Sequence, residues 1–191
     1  MLDKFVSIIW AIISNPYKYF FEDMPKDNSL KYPLIFAVAA STVPIIIQSI
    51  SYLPNVLSAL GLTGVAQTAF FVSFCIFTPV GKIISLYAAA FVVHIAMFLF
   101  VPQRTGFKQT LKVLAYSSAA NVFCVIPFVG AVVSYIFEIR AAVFGLSAVH
   151  NVSALKIFIM LVIIPITIVL ITIMLVCLFA YEWFKTYNFF G

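Results

Sequence analysis

The chain has 191 residues, 64% of them hydrophobic and 9% charged, with a formal net charge of +5. Soluble domains carry about 25% charged residues to build a polar shell, and 11 basic with 6 acidic side chains cannot supply one. That excludes a water-soluble globule, because the long apolar stretches recurring after Pro33 need hydrocarbon as their solvent.

In lipid every backbone polar group must pair internally, which leaves helices or a closed barrel. Continuous apolar runs dominate and strict two-residue alternation is absent, so the pattern predicts an all-α, polytopic membrane protein. It predicts a bundle of five transmembrane helices with an interfacial amphipathic helix at the N-terminus. The basic excess is scattered over short loops, where it sets topology, and implies no nucleic-acid partner.

Residues 1–32 form a cytoplasmic interfacial segment. Over residues 2–14, Leu2, Phe5, Val6, Ile9, Ile12 and Ile13 fall near one face of a helix, with Trp10 close by, as suits a helix in the headgroup plane. Residues 5–13 also resemble a signal-peptide core. The run is short, Asp3 and Lys4 cancel, and no small-x-small site follows, so the segment is expected to be retained. Asn15-Pro16 ends the helix, and Tyr17-Lys18-Tyr19-Phe20-Phe21 reads as a second interfacial patch.

The transmembrane domain covers 33–181. The first span is expected at 33–53, kinked by Pro44. Residues 54–70 hold Pro54, Gly61 and Gly64 and read as a loop with a short surface helix. The second span is placed at 79–101, because Thr78-Pro79-Val80-Gly81-Lys82 should break a stretch too long for one crossing. The third is expected at 111–127, the fourth at 130–149 and the fifth at 155–181 with a kink near Pro165. Pro127-Phe128-Val129-Gly130 and His150-Asn151-Val152-Ser153 are read as turns. Residues 182–191 form a short extracytoplasmic tail, and Tyr181, Trp183, Phe184 and Tyr187 suggest an aromatic belt.

With the N-terminus inside, the inner segments hold eight Lys and Arg (Lys4, Lys18, Lys26, Lys31, Arg104, Lys108, Lys112, Lys156) and the outer ones two, Lys82 and Lys185. The positive-inside rule then puts the N-terminus in the cytoplasm and the C-terminus outside. Asn151-Val152-Ser153, a glycosylation acceptor by pattern, should face the cytoplasm and stay unmodified.

The fourth span carries the main anomaly. Glu138 and Arg140 lie near its middle, where each charge costs about 2.5–3.5 kcal/mol of insertion and each Val, Ile, Leu or Phe returns only about 0.3–0.6. Such a helix needs partners in the bundle. The two charges are about 200° apart around the helix and cannot easily pair with each other. Ser134, Glu138, Ala142 and Gly145 make a small, polar stripe that should meet another helix closely. His94 is a candidate partner for Glu138. Arg140 has backbone carbonyls, Tyr116 or Asn121 within its expected reach. The intramembrane polar cluster is therefore His94, Tyr116, Asn121, Ser134, Glu138 and Arg140. It reads either as a buried lock fixing helix register or as a path for protons, ions or small solutes. Lys82 is expected to snorkel to the outer interface. Arg104, Lys108 and Lys112 form a basic loop suited to anionic headgroups.

The three cysteines sit in apolar stretches and read as small hydrophobes. Only two histidines are present, with no spaced ligand set, so no metal and no cofactor are implied. No phosphate loop or hydrolytic triad appears, and enzyme function is not expected.

Four stretches carry a family resemblance. They are Pro16-Tyr17-Lys18-Tyr19-Phe20-Phe21 before the first span, and Gly106-Phe107-Lys108-Gln109-Thr110-Leu111-Lys112-Val113-Leu114-Ala115-Tyr116-Ser117 entering the third. The others are Ile126-Pro127-Phe128-Val129-Gly130, and Gly145-Leu146 followed by His150-Asn151-Val152-Ser153 and Lys156. In order and spacing, residues 15–165 resemble the Yip (Ypt-interacting-protein) domain family, in its prokaryotic branch. The resemblance implies five spans, N-terminus in, in a cell inner membrane. Eukaryotic members sit in the endoplasmic reticulum and Golgi, bind prenylated Rab-type GTPases and carry a longer N-terminal region with an Asp-Leu-x-Gly-Pro type motif, which this chain lacks. The expected function is a non-enzymatic membrane protein that organises membrane or docks lipid or protein partners, including a second copy of the chain. The alternative is a small transporter or channel using the polar residues of spans two to four.

Overall fold

The computed structural model describes residues 2–25, 29–61, 64–101 and 105–188. Every regular element among them is helical. Residues 1–152 and 153–191 form two compact units.

The first unit begins with α1 (Leu2–Ser14), α2 (Pro16–Lys18) and a π-helical turn (Tyr19–Asp23). Asn15 separates α1 from α2: its side-chain Oδ1 accepts the Lys18 N–H at 3.1 Å, and Pro16 occupies the first helical position, where no N–H is needed. The expected interfacial helix packs one face on protein and leaves Val6 and Trp10 exposed. Ile12 is buried, and the Phe5 ring packs 5.0 Å from Phe36. The aromatic patch after it splits: Tyr19 and Phe20 are buried, while Tyr17 and Phe21 stay exposed and stack on each other.

Two long helices follow, α3 (Lys31–Ala59) and α4 (Val65–Phe100). Both correct the expected boundaries. Helix α3 runs through Pro44 and Pro54, so residues 54–59 are helix rather than loop. Helix α4 runs unbroken through Thr78-Pro79-Val80-Gly81-Lys82 for 36 residues, about 54 Å. Proline removes one hydrogen bond, but unwinding a largely apolar stretch of helix would orphan several more where water is scarce. Thr78 gives its hydroxyl to the Phe74 carbonyl at 2.6 Å beside the defect. The tip between the helices turns on Gly61 and Gly64, at φ +78° and +59°, a conformation that side chains resist. Gln67 Nε2 then donates to the Pro54 carbonyl at 3.0 Å and ties the two helices below the tip.

Helix α5 (Phe107–Ser117) continues as a 3₁₀ segment, Ser118–Val125. At 1.5 and 2.0 Å per residue these cover about 32 Å together, close to the bilayer core of about 30 Å. The tighter 3₁₀ winding thus lets this short element match α6 (Val129–His150) in height. The link between them is sharp: Phe128 adopts φ +61°, and a Cβ on Gly130 would strike the Phe123 backbone carbonyl. Gly130→Ala should therefore lower stability by about 1–3 kcal/mol, the range for overpacking. Gly106→Ala, where a Cβ meets nothing within 4 Å, should leave the melting temperature in detergent unchanged. Equal melting of the two variants would refute this. Helix α6 ends on Asn151 in the left-handed region at φ 52°, with the Val152 N–H returning to the Ser147 carbonyl at 3.1 Å, a closure that Asn tolerates well.

The core is built of small side chains. Ala37, Leu86, Ala90, Leu111 and Ala115 join α3, α4 and α5, which lets three backbones approach closely. Helix starts and ends alternate, so the start of α3, the end of α4, the start of α5 and the end of α6 share one end of the bundle, called here the His150 end.

The second unit holds α7 (Ala154–Phe158), a π-helical turn (Ile159–Ile163) and α8 (Ile164–Asn188). The turn sits just before Pro165 and accommodates its missing N–H, so the expected kink site is a change of helical winding. Tyr181 and Trp183 are exposed, as a belt requires. Phe184 and Tyr187 fall outside the described side chains.

Four helical stretches are long and apolar enough to cross a membrane: Lys31–Ile50, Val65–Phe100, Val129–His150 and Ala154–Trp183. They overlap four of the five expected spans, and α5 with its 3₁₀ continuation covers the stretch of the remaining one. The protein is an all-helical, multi-pass membrane protein.

Candidate functional site

The polar residues expected as one cluster occupy separate contacts at different levels of the bundle. One of them is a three-element clasp. Asn121, on the 3₁₀ segment, donates Nδ2 to Ser41 Oγ of α3 and accepts Ser134 Oγ of α6, both at 2.9 Å. One amide thereby ties three elements through both of its ends.

One turn of α6 farther on, Glu138 meets Lys82 of α4, Oε1 to Nζ 3.9 Å. This corrects two expectations. Lys82 does not simply snorkel, and the partner of Glu138 is Lys82 rather than His94. With α4 unbroken, Lys82 is held in mid-helix rather than at a helix end. The side chains are 20% and 32% exposed, so the pair is neither dry nor fully solvated.

Arg140 takes the other side of α6. It reaches backbone carbonyls, as one option foresaw, but those of α1. Nη1 donates to the Ile13 carbonyl at 2.7 Å and Nη2 to the Ser14 carbonyl at 3.3 Å. The last carbonyls of a helix have no intrahelical donor, and Pro16 cannot provide one. A forked guanidinium therefore caps the end of α1 and complements its dipole.

At the His150 end the only two histidines of the chain are joined by one hydroxyl. Thr110 Oγ1 lies 3.1 Å from His94 Nδ1 and 3.2 Å from His150 Nε2. The Thr105 backbone N–H donates to His150 Nδ1 at 3.1 Å. That leaves His150 its proton on Nε2, which it donates to Thr110 Oγ1. Spacing alone did not reveal this contact, because His94 and His150 are far apart in sequence and Thr110 carries no charge.

Tyr116 lies in an aromatic nest, its ring centroid 5.6 Å from Tyr19 and 5.2 Å from Phe36. Burial pushes the Tyr19 phenol well above its ordinary 10.0, and neighbouring Tyr116 adds to the rise. The unfolded chain ionises this phenol near pH 10 and the folded chain does not. The stability from keeping it neutral is full below that pH and is lost as pH rises beyond it. Melting temperature in detergent should fall between about pH 9 and 12, less steeply in Tyr19→Phe. Parallel curves for the two proteins would contradict this.

The polar stripe of α6 faces protein. Ser134, Ala142 and Gly145 are buried, and a Cβ at Gly145 would lie 2.6 Å from Val113 Cγ1 and 2.8 Å from the Phe20 ring. The basic loop divides. Lys108 is exposed. Lys112 is 1% exposed, and its ammonium donates to the Pro25 carbonyl at 3.1 Å. It holds the N-terminal segment and is not available to a headgroup. Arg104 lies outside the described residues. Among the described residues, no three His, Cys, Asp or Glu side chains gather as a metal site would need.

Comparison with the curated proteins finds no match, and neither does comparison with the solved structures. A family model described as Yip1 domain matches residues 10–176. That match runs from within α1 into α8 and takes in all or most of each long apolar helix, and the chain belongs to the Yip1 domain family.

Proposed function

We propose that this protein organises the membrane or docks partners at its surface, and that its intramembrane polar groups act as locks. The observation that carries the reading is the separation of those groups. Asn121, Glu138, Arg140 and His94 each end on a protein partner at a different level. Transport needs polar groups that hand an ion from one to the next, whereas these fix α1, α3, α4 and α6 against one another.

The exposed side supports docking. Lys18, Lys31 and Lys108 are exposed, and Lys31 and Lys108 lie at the His150 end, which we assign to the cytoplasm from the basic bias. Anionic headgroups gain about 1 kcal/mol per basic residue near such a surface. The non-enzymatic character and the inner-membrane location belong to the same reading.

Reconstitution in liposomes tests it. No proton or ion flux above that of empty vesicles is expected, for the native chain or for Glu138→Gln. Flux that disappears in Glu138→Gln would establish the transporter alternative. A reporter fused at residue 1 should respond only on the cytoplasmic side.

A further inference from the structure

A groove runs along the outer face of α3, walled by Phe5 of α1 and Val122 of the 3₁₀ segment. Its floor is the row Ile35, Ala39 and Val43, with Pro44 at the far end. Alanine side chains and the proline open the space, and α1 is held over it by the Arg140 cap. Its volume is about 460 Å³ and every lining residue is apolar.

One end of the groove is cationic. Lys4 precedes Phe5 in the wall, and its Nζ lies 5.9 Å from the centre of the Tyr32 ring, one turn before Ile35. Lys31 is exposed beside Tyr32, and Asp3 is the acid next to Lys4. Toward Pro44 the chain has no Asp, Glu, Lys, Arg or His from Pro33 to Gly81. The site is therefore charged at the His150 end of the bundle and apolar along the remaining length, about 18 Å of helix from Tyr32 to Pro44.

Size and chemistry select the occupant. The volume falls in the roughly 300–1,000 Å³ range of small-ligand sites. A helix is about 10–12 Å across and would need several times that space over this length. Water lacks the two to four polar partners it requires. An extended hydrocarbon chain needs none and fits a narrow apolar channel parallel to the helices. We propose that the groove holds one acyl chain of an anionic phospholipid, with its phosphate at Lys4 and Lys31. This does not depend on the organising role proposed above.

Native mass spectrometry of the purified full chain tests it, with dioleoyl phosphatidylglycerol and dioleoyl phosphatidylcholine offered in equal amounts. Two lysines against one aspartate should give roughly five-fold enrichment of the anionic lipid among retained molecules. The Lys4→Gln/Lys31→Gln double variant, altered only at exposed positions, should retain both lipids alike. Ala39→Phe should fill the channel and reduce retention to that of nonspecific lipid. A second readout avoids any dependence on how that variant folds. With Trp10 and Trp183 changed to Phe, tryptophan at Phe5→Trp should be quenched by brominated-chain phosphatidylglycerol at a lower mole fraction than by brominated phosphatidylcholine. Equal retention of the two lipids by the native chain, or equal quenching, would overturn the proposal.

Discussion

Replacing Arg140 with methionine should release α1 from the bundle. Methionine keeps much of the side-chain length but has no donor, so the Ile13 and Ser14 carbonyls lose the bonds of 2.7 and 3.3 Å that close the helix. Hydrogen bonds to charged groups contribute about 1.5–3 kcal/mol each. Arg140 is half-buried and the second bond is long, so a loss of about 2–4 kcal/mol is expected. The apolar contacts of Ile12 and Phe5 remain, and loss of the cap should therefore appear as local opening before global unfolding. Hydrogen exchange over residues 2–14 should accelerate by at least about ten-fold, which corresponds to 1.4 kcal/mol, while α5 and α6 exchange as before. Arg140→Lys should fall between the two, since one ammonium cannot reproduce the forked geometry. Unchanged exchange in α1 would show that the cap contributes nothing to its docking.

Charge reversal at Lys82 and Glu138 is expected to give the second largest effect. Glu138→Lys sets two cations against each other across α4 and α6, and Lys82→Glu sets two anions. Removing one partner of a fully buried pair costs about 3–5 kcal/mol. With both side chains partly exposed and 3.9 Å apart, each reversal should cost about 1–3 kcal/mol. The double reversal restores opposite signs and should recover at least half of the folded yield and melting temperature that the single changes lose. Additive losses in the double variant would show that the pair is incidental. His94→Ala serves as the specificity control: it should shift the Thr110–His150 contact and leave the reversal cycle unaffected.

These two contacts mark where reading residues in order stops. The sequence identified Glu138 and Arg140 as charges that hydrocarbon would not accept alone. The roughly 200° between them already implied two different partners. It could not name those partners, because each lies far along the chain. The carbonyls that Arg140 uses have no side-chain signal at all, and the only trace is Asn15-Pro16, which announces a helix end with free acceptors. Lys82 was misplaced for a related reason. Thr78-Pro79 and Gly81 look like a break locally, and a break would put Lys82 at an interface. Backbone satisfaction in an apolar setting keeps α4 whole and sets Lys82 opposite Glu138. Lys112 shows the same limit: its loop is basic and polar, yet its ammonium is spent on the Pro25 carbonyl.

What the sequence determined by itself is the solvent and therefore the class of fold. Composition, run length and scarcity of charge demand helices in hydrocarbon, and the stripe from Ser134 to Gly145 marks the face of α6 that must be covered. Only the tertiary structure decided how the polar groups divide: Asn121 between Ser41 and Ser134, Glu138 with Lys82, Arg140 on α1, and His94 with His150 through Thr110. The reason is geometric. Hydrophobicity adds up along a chain and can be read from it. A hydrogen bond depends on distance and direction to one atom of another element, and helix winding at Pro79 and over Ser118–Val125 sets those positions.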